Sequence, residues 1–312
     1  MDVPQLDGST KRYAKCIEVS KRIRWDIDRD VIRGRRFDFS KKFLPDGISR
    51  ISELAFMSEH ERRFLSQIQG RTYANMFGLV ERFISIKMIE KGHDHGLGDQ
   101  TKLEALVRMT DEELKHQELF RRVERITAAE MPAGYSFLPQ PNDVAALVLG
   151  KSTWAVLALT SHIELFTEAH YRQSIEPEEN LSELYKDVFL FHWREESQHV
   201  ILSELEWRRE NANLSAAGRD QAVEDLIYLV FAVDGMLQAQ AASDTDYFFR
   251  TCGQSFSASE QKRIRDVVLK AYRWQYIVSG VEDPRFAGIL GDMLTPEQAA
   301  RIGSALAPIV SH

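Results

Sequence analysis

Cysteine, proline, glycine and surplus positive charge are all scarce in this 312-residue chain, and each shortage excludes something. The two cysteines, Cys16 and Cys252, stand far apart without Cys-x-x-Cys spacing. Neither a disulfide framework nor a zinc ribbon can be built from them, and a reducing cytoplasm is the expected location. Seventeen glycines and nine prolines are too few for a β-sandwich or a disordered low-complexity chain. A formal net charge of −7 disfavours nucleic acid as a partner, since phosphate binding needs a basic face. Long apolar runs are lacking too. The opening MDVPQLDGSTKRYAKC has no apolar signal-peptide core, and the most apolar stretch, 144–166, is interrupted by Lys151 and carries His162 and Glu164. It falls short of the roughly 20 apolar residues of a membrane span, so no membrane is expected.

What is present is helical. No proline occurs between Pro45 and Pro132 or between Pro177 and Pro284, while Pro132, Pro139 and Pro141 cluster. Proline breaks helices, so the chain reads as long helical blocks joined by one punctuated crossover. Apolar residues recur at helical spacing from Ser58 towards Lys91, with the HDHGLGD stretch as terminator. A second helix is predicted over about 102–131 with Thr110 as a bend, and a third from an Asn142 or Asp143 cap to about Ile175. Further helices are predicted over about 181–210, 217–251 and 257–279, with a short one after Thr295-Pro296-Glu297. The expectation is an all-α helical bundle with one longer crossover, forming a single domain over 1–312. Within it, 1–55 is a basic N-terminal segment, 56–212 the four-helix core and 213–312 additional C-terminal helices.

Two Glu-x-x-His motifs fall in mid-helix: Glu113-Leu-Lys-His116 and Glu196-Ser-Gln-His199. Residues three apart share a helix face, so each pair can reach one metal ion. A third match, Glu90-Lys-Gly-His93, runs into glycines at a helix end and is set aside. One such motif is a frequent coincidence in a chain with nine histidines; two of them, each preceded by a glutamate at the same distance, are not. Glu81 precedes Glu113 by 32 residues, and Glu164 precedes Glu196 by the same 32. A dimetal carboxylate bundle needs one glutamate from each of two helices and Glu-x-x-His from each of the other two. Glu168 lies one turn beyond Glu164 and competes with it, but the matched spacing selects Glu164. His192 stands at i−4 from Glu196 and i−7 from His199, on the same stripe, as a further ligand or a hydrogen-bond partner of one.

Residues 75–210 resemble the ferritin-like di-iron oxygenases, and His192-Trp-Arg-Glu-Glu196-Ser-Gln-His199 resembles the fourth helix of the p-aminobenzoate and arylamine N-oxygenase family. Carried over, the resemblance makes Glu81, Glu113, His116, Glu164, His192, Glu196 and His199 the iron ligands and catalytic centre. It implies an O2-activating monooxygenase with two iron ions, acting on an amine through a peroxo di-iron intermediate. A di-iron hydroxylase or desaturase working at carbon, or a non-catalytic iron-binding, oxidant-scavenging bundle, would use the same residues, and the ligand types also suit manganese in one position. A ribonucleotide reductase small subunit would carry a tyrosine one turn beyond the first motif, where this chain has Phe120.

No flavin or nicotinamide fingerprint is present, so an external electron donor, a ferredoxin or similar reductant, is implied. Residues 11–42 hold twelve Lys/Arg and five Asp/Glu, a local charge of +7. Such a run is usually a solvated face; the sharper reading is a docking surface for an acidic partner, either the reductant or a carrier protein bearing the amine. A homodimer is compatible with the sequence. Phe77, Phe83, Phe120, Trp154, Phe166 and Phe191 flank the predicted ligands and are read mainly as bundle core, with an apolar substrate lining as the second role.

Overall fold

Where the helices begin is set by short polar residues. The computed structural model describes residues 8–310. Ser58 and Glu61 form a capping box, with Ser58 N–H donating to Glu61 Oε2 at 2.6 Å, and launch α3 over Glu59–Asp94. Asp99 accepts from the backbone of Thr101 and Lys102 and opens α4, Gln100–Glu130. Before these lie α1 (Gly8–Arg22), a π-helical turn (Ile27–Ile32) and the short α2 (Asp46–Ser49). After them come α5 (Pro141–Leu149), α6 (Thr153–His170), α7 (Glu183–Asn213) and α8 (Ala216–Thr251). The chain then runs through α9 (Ala258–Arg273), a π-helical turn (Trp274–Val278), α10 (Ser279–Val281), α11 (Pro284–Met293) and α12 (Pro296–Val310). Among the described residues there is no strand, only an isolated bridge between Lys42 and Leu181.

The fold is all-α. Hairpins α3–α4 and α6–α7, joined by the long 131–152 crossover, form the four-helix core, which is the connectivity of a ferritin-like bundle. Helix α6 is buried almost throughout, Trp154 and Leu157 fully, so the most apolar stretch of the sequence is the central core helix. Helix α1 packs across α4 and α7. Helices α8, α10 and α11 pack on α6, with α9 and α12 on α8. One continuous apolar core runs from Tyr13 to Ile309.

Two features differ from the sequence expectation. The predicted third helix is broken: Gly150 ends α5, Ser152 N–H turns aside to Asp225 at 2.9 Å, and α6 starts afresh. Glycine's poor helix propensity and an outside acceptor outweigh the continuous apolar pattern. Its cap is also displaced, for Gln140 caps α5 with Pro141 in the first turn. Helix α4 runs without a break through Thr110, whose hydroxyl bonds to Leu106 O at 2.9 Å.

Helix α8 alone, among the described residues, is long and apolar enough to cross a membrane by length and composition. Its polar residues tie it to the protein interior. Asp234 receives Arg273 at 2.7 Å, and the fully buried Asp244 accepts from Thr72 and Gln240 at 2.6 and 2.8 Å and from the Tyr272 hydroxyl.

Candidate metal centre

Burying carboxylates is costly unless each oxygen has a partner. At the middle of the bundle this chain buries many. Glu81 comes from α3, Glu113 and His116 from α4, Glu164 from α6, and His192, Glu196 and His199 from α7; each is at most 4% exposed. The α3–α4 hairpin brings Glu81 and Glu113 to the same height, each 3.7 Å from His116 Nδ1.

Ligand-capable atoms converge in two overlapping sets, Glu81–His116–His192–Glu196 and Glu113–His116–Glu196–His199, each with all its atoms within 4.8 Å of one another. His192 Nε2 lies 3.0 Å from Glu81 Oε1 and 3.3 Å from Glu196 Oε1. His116 Nδ1 and His199 Nδ1 lie 3.1 and 3.3 Å from Glu196 Oε1. Glu164 falls outside both sets. Its Oε1 accepts from Ser203 Oγ at 2.8 Å, while Oε2 is buried without a partner. Glu168, its rival, is only half-buried, and burial pushes its carboxyl up to about 7.

The residues fit a pair of metal ions on one observation above others. Glu81 Oε2, both oxygens of Glu113, Glu164 Oε2, Glu196 Oε1 and Nδ1 of His116 and His199 are buried without hydrogen-bond partners. Several stand about 3 Å apart, yet not in hydrogen-bonding geometry, as His199 Nδ1 does from Glu113 Oε1 at 3.1 Å. Oxygen and imidazole donors of this kind suit iron or manganese.

Two residues that the sequence reading passed over complete the arrangement. His116 donates from Nε2 to Glu195 at 2.9 Å, and His199 donates from Nε2 to Glu112 at the same distance. The contacts cross the bundle, each motif's histidine being held by the glutamate preceding the other motif's ligand. With Nε2 carrying the proton, Nδ1 is left to face the cluster, which fixes tautomer and ring orientation. The signal was in the sequence as the doublets Glu112-Glu113 and Glu195-Glu196. Ser20 and Gln198 in turn hold Glu112, and Lys115 holds Glu195.

Electrostatics agree with a centre built for cations. Burial disfavours charge on His116 and His199, yet the surrounding carboxylates overcome it and hold both well above the ordinary histidine range. His192 goes the other way: burial, against the pull of Glu196, lowers it to about 3, leaving a neutral imidazole with a lone pair to give. Burial raises Glu164 far above the carboxylate range, aided by Glu196.

Aromatic side chains shield the cluster. Phe77 and Phe120 meet the His192 ring edge-on at 5.2 and 5.1 Å, and Trp25 stacks on His116 at 6.1 Å. Trp154 instead packs on Trp207, and Phe191 on Trp25. No sequence pattern pointed to Trp25. The basic segment that carries it is largely engaged within the chain: Arg33 and Arg35 pair with Asp187, and Arg36 with Glu130.

No protein-family model matches the chain, and no curated protein matches it. Solved structures of an R2-like ligand-binding oxidase do. One single-residue mutant with an aerobically reconstituted Mn/Fe cofactor has a TM-score of 0.45 at 13% identity, covering 88% of this chain and 94% of that one. A second mutant, with an anaerobically reconstituted Mn/Fe cofactor, has a TM-score of 0.46 at 13% identity over the same shares. The same second mutant with a non-activated Mn/Mn cofactor gives 0.45 at 13% identity, covering 88% and 93%.

Proposed function

We propose that this protein is an O2-activating dimetal monooxygenase, binding two iron ions and oxygenating the nitrogen of an amine. The observation that carries the reading is the set of seven buried ligand atoms without hydrogen-bond partners, framed by the crossed Glu195–His116 and Glu112–His199 contacts. When bound, a reduced metal pair with open coordination positions supplies the electrons that activate O2.

The chain's own residues do the rest. Glu81, Glu113, Glu164 and Glu196 offset the charge of two divalent ions, so the loaded centre carries little net charge into an apolar interior. His116, His199 and the neutral His192 add nitrogen donors, and the resemblance of the His192–His199 string to the N-oxygenase fourth helix is what favours the amine-oxygenase reading over oxidation at carbon. Phe77 and Phe120 exclude water around His192. Electrons come from outside, from a ferredoxin-like reductant. Its docking region is the N-terminal segment before Trp25, where Arg22 and Arg24 are exposed and the Trp25 ring itself stacks on His116.

The test is anaerobic loading followed by turnover. Two iron ions per chain are expected, then O2 consumption dependent on an added amine and a hydroxylamine, nitroso or nitro product by mass spectrometry. Hydroxylated or desaturated carbon would shift the reading to the carbon-directed class. Metal content far below two per chain, or loading unchanged in Glu113→Ala and Glu196→Ala, would overturn the dimetal centre.

A further inference from the structure

A cavity of about 450 Å³ lies between the bundle and the C-terminal helices, away from the metal ligands. Its walls come from α6, α8, α11, α12 and the turn before α10, and no Asp, Glu, Lys or Arg lines it. Along α12 the lining runs from Ala299 to Val310, roughly 16 Å of helix at 1.5 Å per residue. The outer wall is built from small residues that leave space: Ala287 and Gly291 on α11, Ala299 and Gly303 on α12, all exposed. A Cβ placed on Gly291 or Gly303 meets nothing within 4 Å.

At the inner end stand His162 and Tyr276. His162 Nε2 donates to Ile277 O at 2.9 Å, and Gly280 makes room for the ring, since a Cβ there would sit 2.3 Å from Nε2. His162 Nδ1 and Tyr276 Oη are left buried without partners. They offer one acceptor and one donor, a match for the N–H and lone pair of an unprotonated amine, with no carboxylate present to hold an ammonium. A second void of about 50 Å³ shares Leu159, Val233 and Tyr276 with the first and is bounded further in by Phe77 and Phe166. Phe77 lies one turn before Glu81 and meets His192 edge-on at 5.2 Å, so one side chain separates the inner void from a ligand of the metal centre.

Size and shape choose the occupant. A cavity of about 150 Å³ suffices for a single benzene ring. This one is about three times larger and apolar apart from His162 and Tyr276 at its inner end. We propose that the cavity binds an unbranched alkyl chain, entering between α11 and α12, as the tail of a primary amine whose nitrogen is delivered past Tyr276 and Phe77. Delivery to the centre rests on the amine-oxygenase reading; chain binding does not.

The experiment is calorimetric titration of the iron-loaded, full-length protein with n-alkyl primary amines from hexyl to tetradecyl, below their micellar concentrations. Dodecanol and aniline serve as comparisons. Affinity is expected to rise about fourfold per methylene, which is about 0.8 kcal/mol, until the cavity is filled. Dodecanol should bind in the same range and aniline weakly. Gly303→Leu, which fills the cavity, should weaken dodecylamine binding at least tenfold while metal content and Tm stay at wild type. Gly291→Leu is the second variant should the first fail to fold. Affinity independent of chain length, or undiminished binding in a folded filled variant, would overturn the proposal. If chains bind with the expected length dependence but no amine is oxygenated, the cavity assignment stands and the reaction falls. If amines are oxygenated without regard to length, the reaction stands and the cavity assignment falls.

Discussion

His116 of α4 is held by Glu195 of α7 through a 2.9 Å hydrogen bond from Nε2, and the reciprocal contact joins His199 of α7 to Glu112 of α4. Each histidine therefore depends on the opposite hairpin for its orientation. Replacing Glu195 or Glu112 by Gln keeps the shape but removes the charge that keeps Nε2 protonated and Nδ1 basic. Metal affinity is expected to fall about 10- to 100-fold in either variant. Competition with a chelator of known affinity reads this directly.

Glu164 and Glu168 make a second pair whose roles can be separated. Glu164 is fully buried, anchored by Ser203 and left with one oxygen without a partner. Glu164→Gln should lower bound iron from two ions towards one per chain by elemental analysis. Glu168→Gln should leave it at two.

Metal removal should cost stability. Without ions the interior holds Glu81, Glu113, Glu164 and Glu196 with unsatisfied oxygens, whereas binding to the native state alone stabilises by mass action. At a hundredfold excess over Kd this is about 2.7 kcal/mol per site. Differential scanning calorimetry should show a Tm that rises with iron concentration and drops on chelation; a Tm indifferent to iron would contradict the site.

Asp244 gives a pH-dependent prediction away from the metal. Burial raises its carboxyl from 3.8 to about 7, against the opposing hydrogen bonds of Thr72, Tyr272 and Gln240. Between those values the unfolded chain has released the proton while the native protein keeps it, so the unfolded state binds fewer protons and stability falls as pH rises. The contribution is fully favourable below about pH 4 and is lost as pH approaches 7, of the order of 4 kcal/mol at most. In urea unfolding, Asp244→Asn should flatten this part of the profile relative to wild type.

The basic N-terminal segment supplies the last prediction. Arg33, Arg35 and Arg36 are tied to Asp187 and Glu130, so reversing them would disturb internal contacts as well as any partner. Arg22 and Arg24 are the cleaner probes. Reversing both should slow turnover with a ferredoxin reductant several-fold at low salt, with the difference fading as salt screens the charges. Turnover driven by dithionite should be unchanged.

The sequence by itself determined the helical class, the long blocks and six of the converging side chains, because helical periodicity and i, i+3 spacing are local properties written into the order of residues. Repeated spacing, Glu81 to Glu113 and Glu164 to Glu196, also carried the pairing of hairpins, since equal separations return equal heights in a bundle. The Glu-Glu doublets were legible too, but a second glutamate beside a ligand has no distinct meaning until the facing helix is known. Tertiary structure alone decided the rest. It set Trp25 against His116 across ninety residues of chain, because that contact depends on how α1 and the turn after it lie over α4 and α7. It broke the third helix at Gly150, where an acceptor on α8 outweighed local preference. It opened the cavity behind Tyr276 as well, since empty space belongs to the packing of several helices and no single stretch of sequence encodes it.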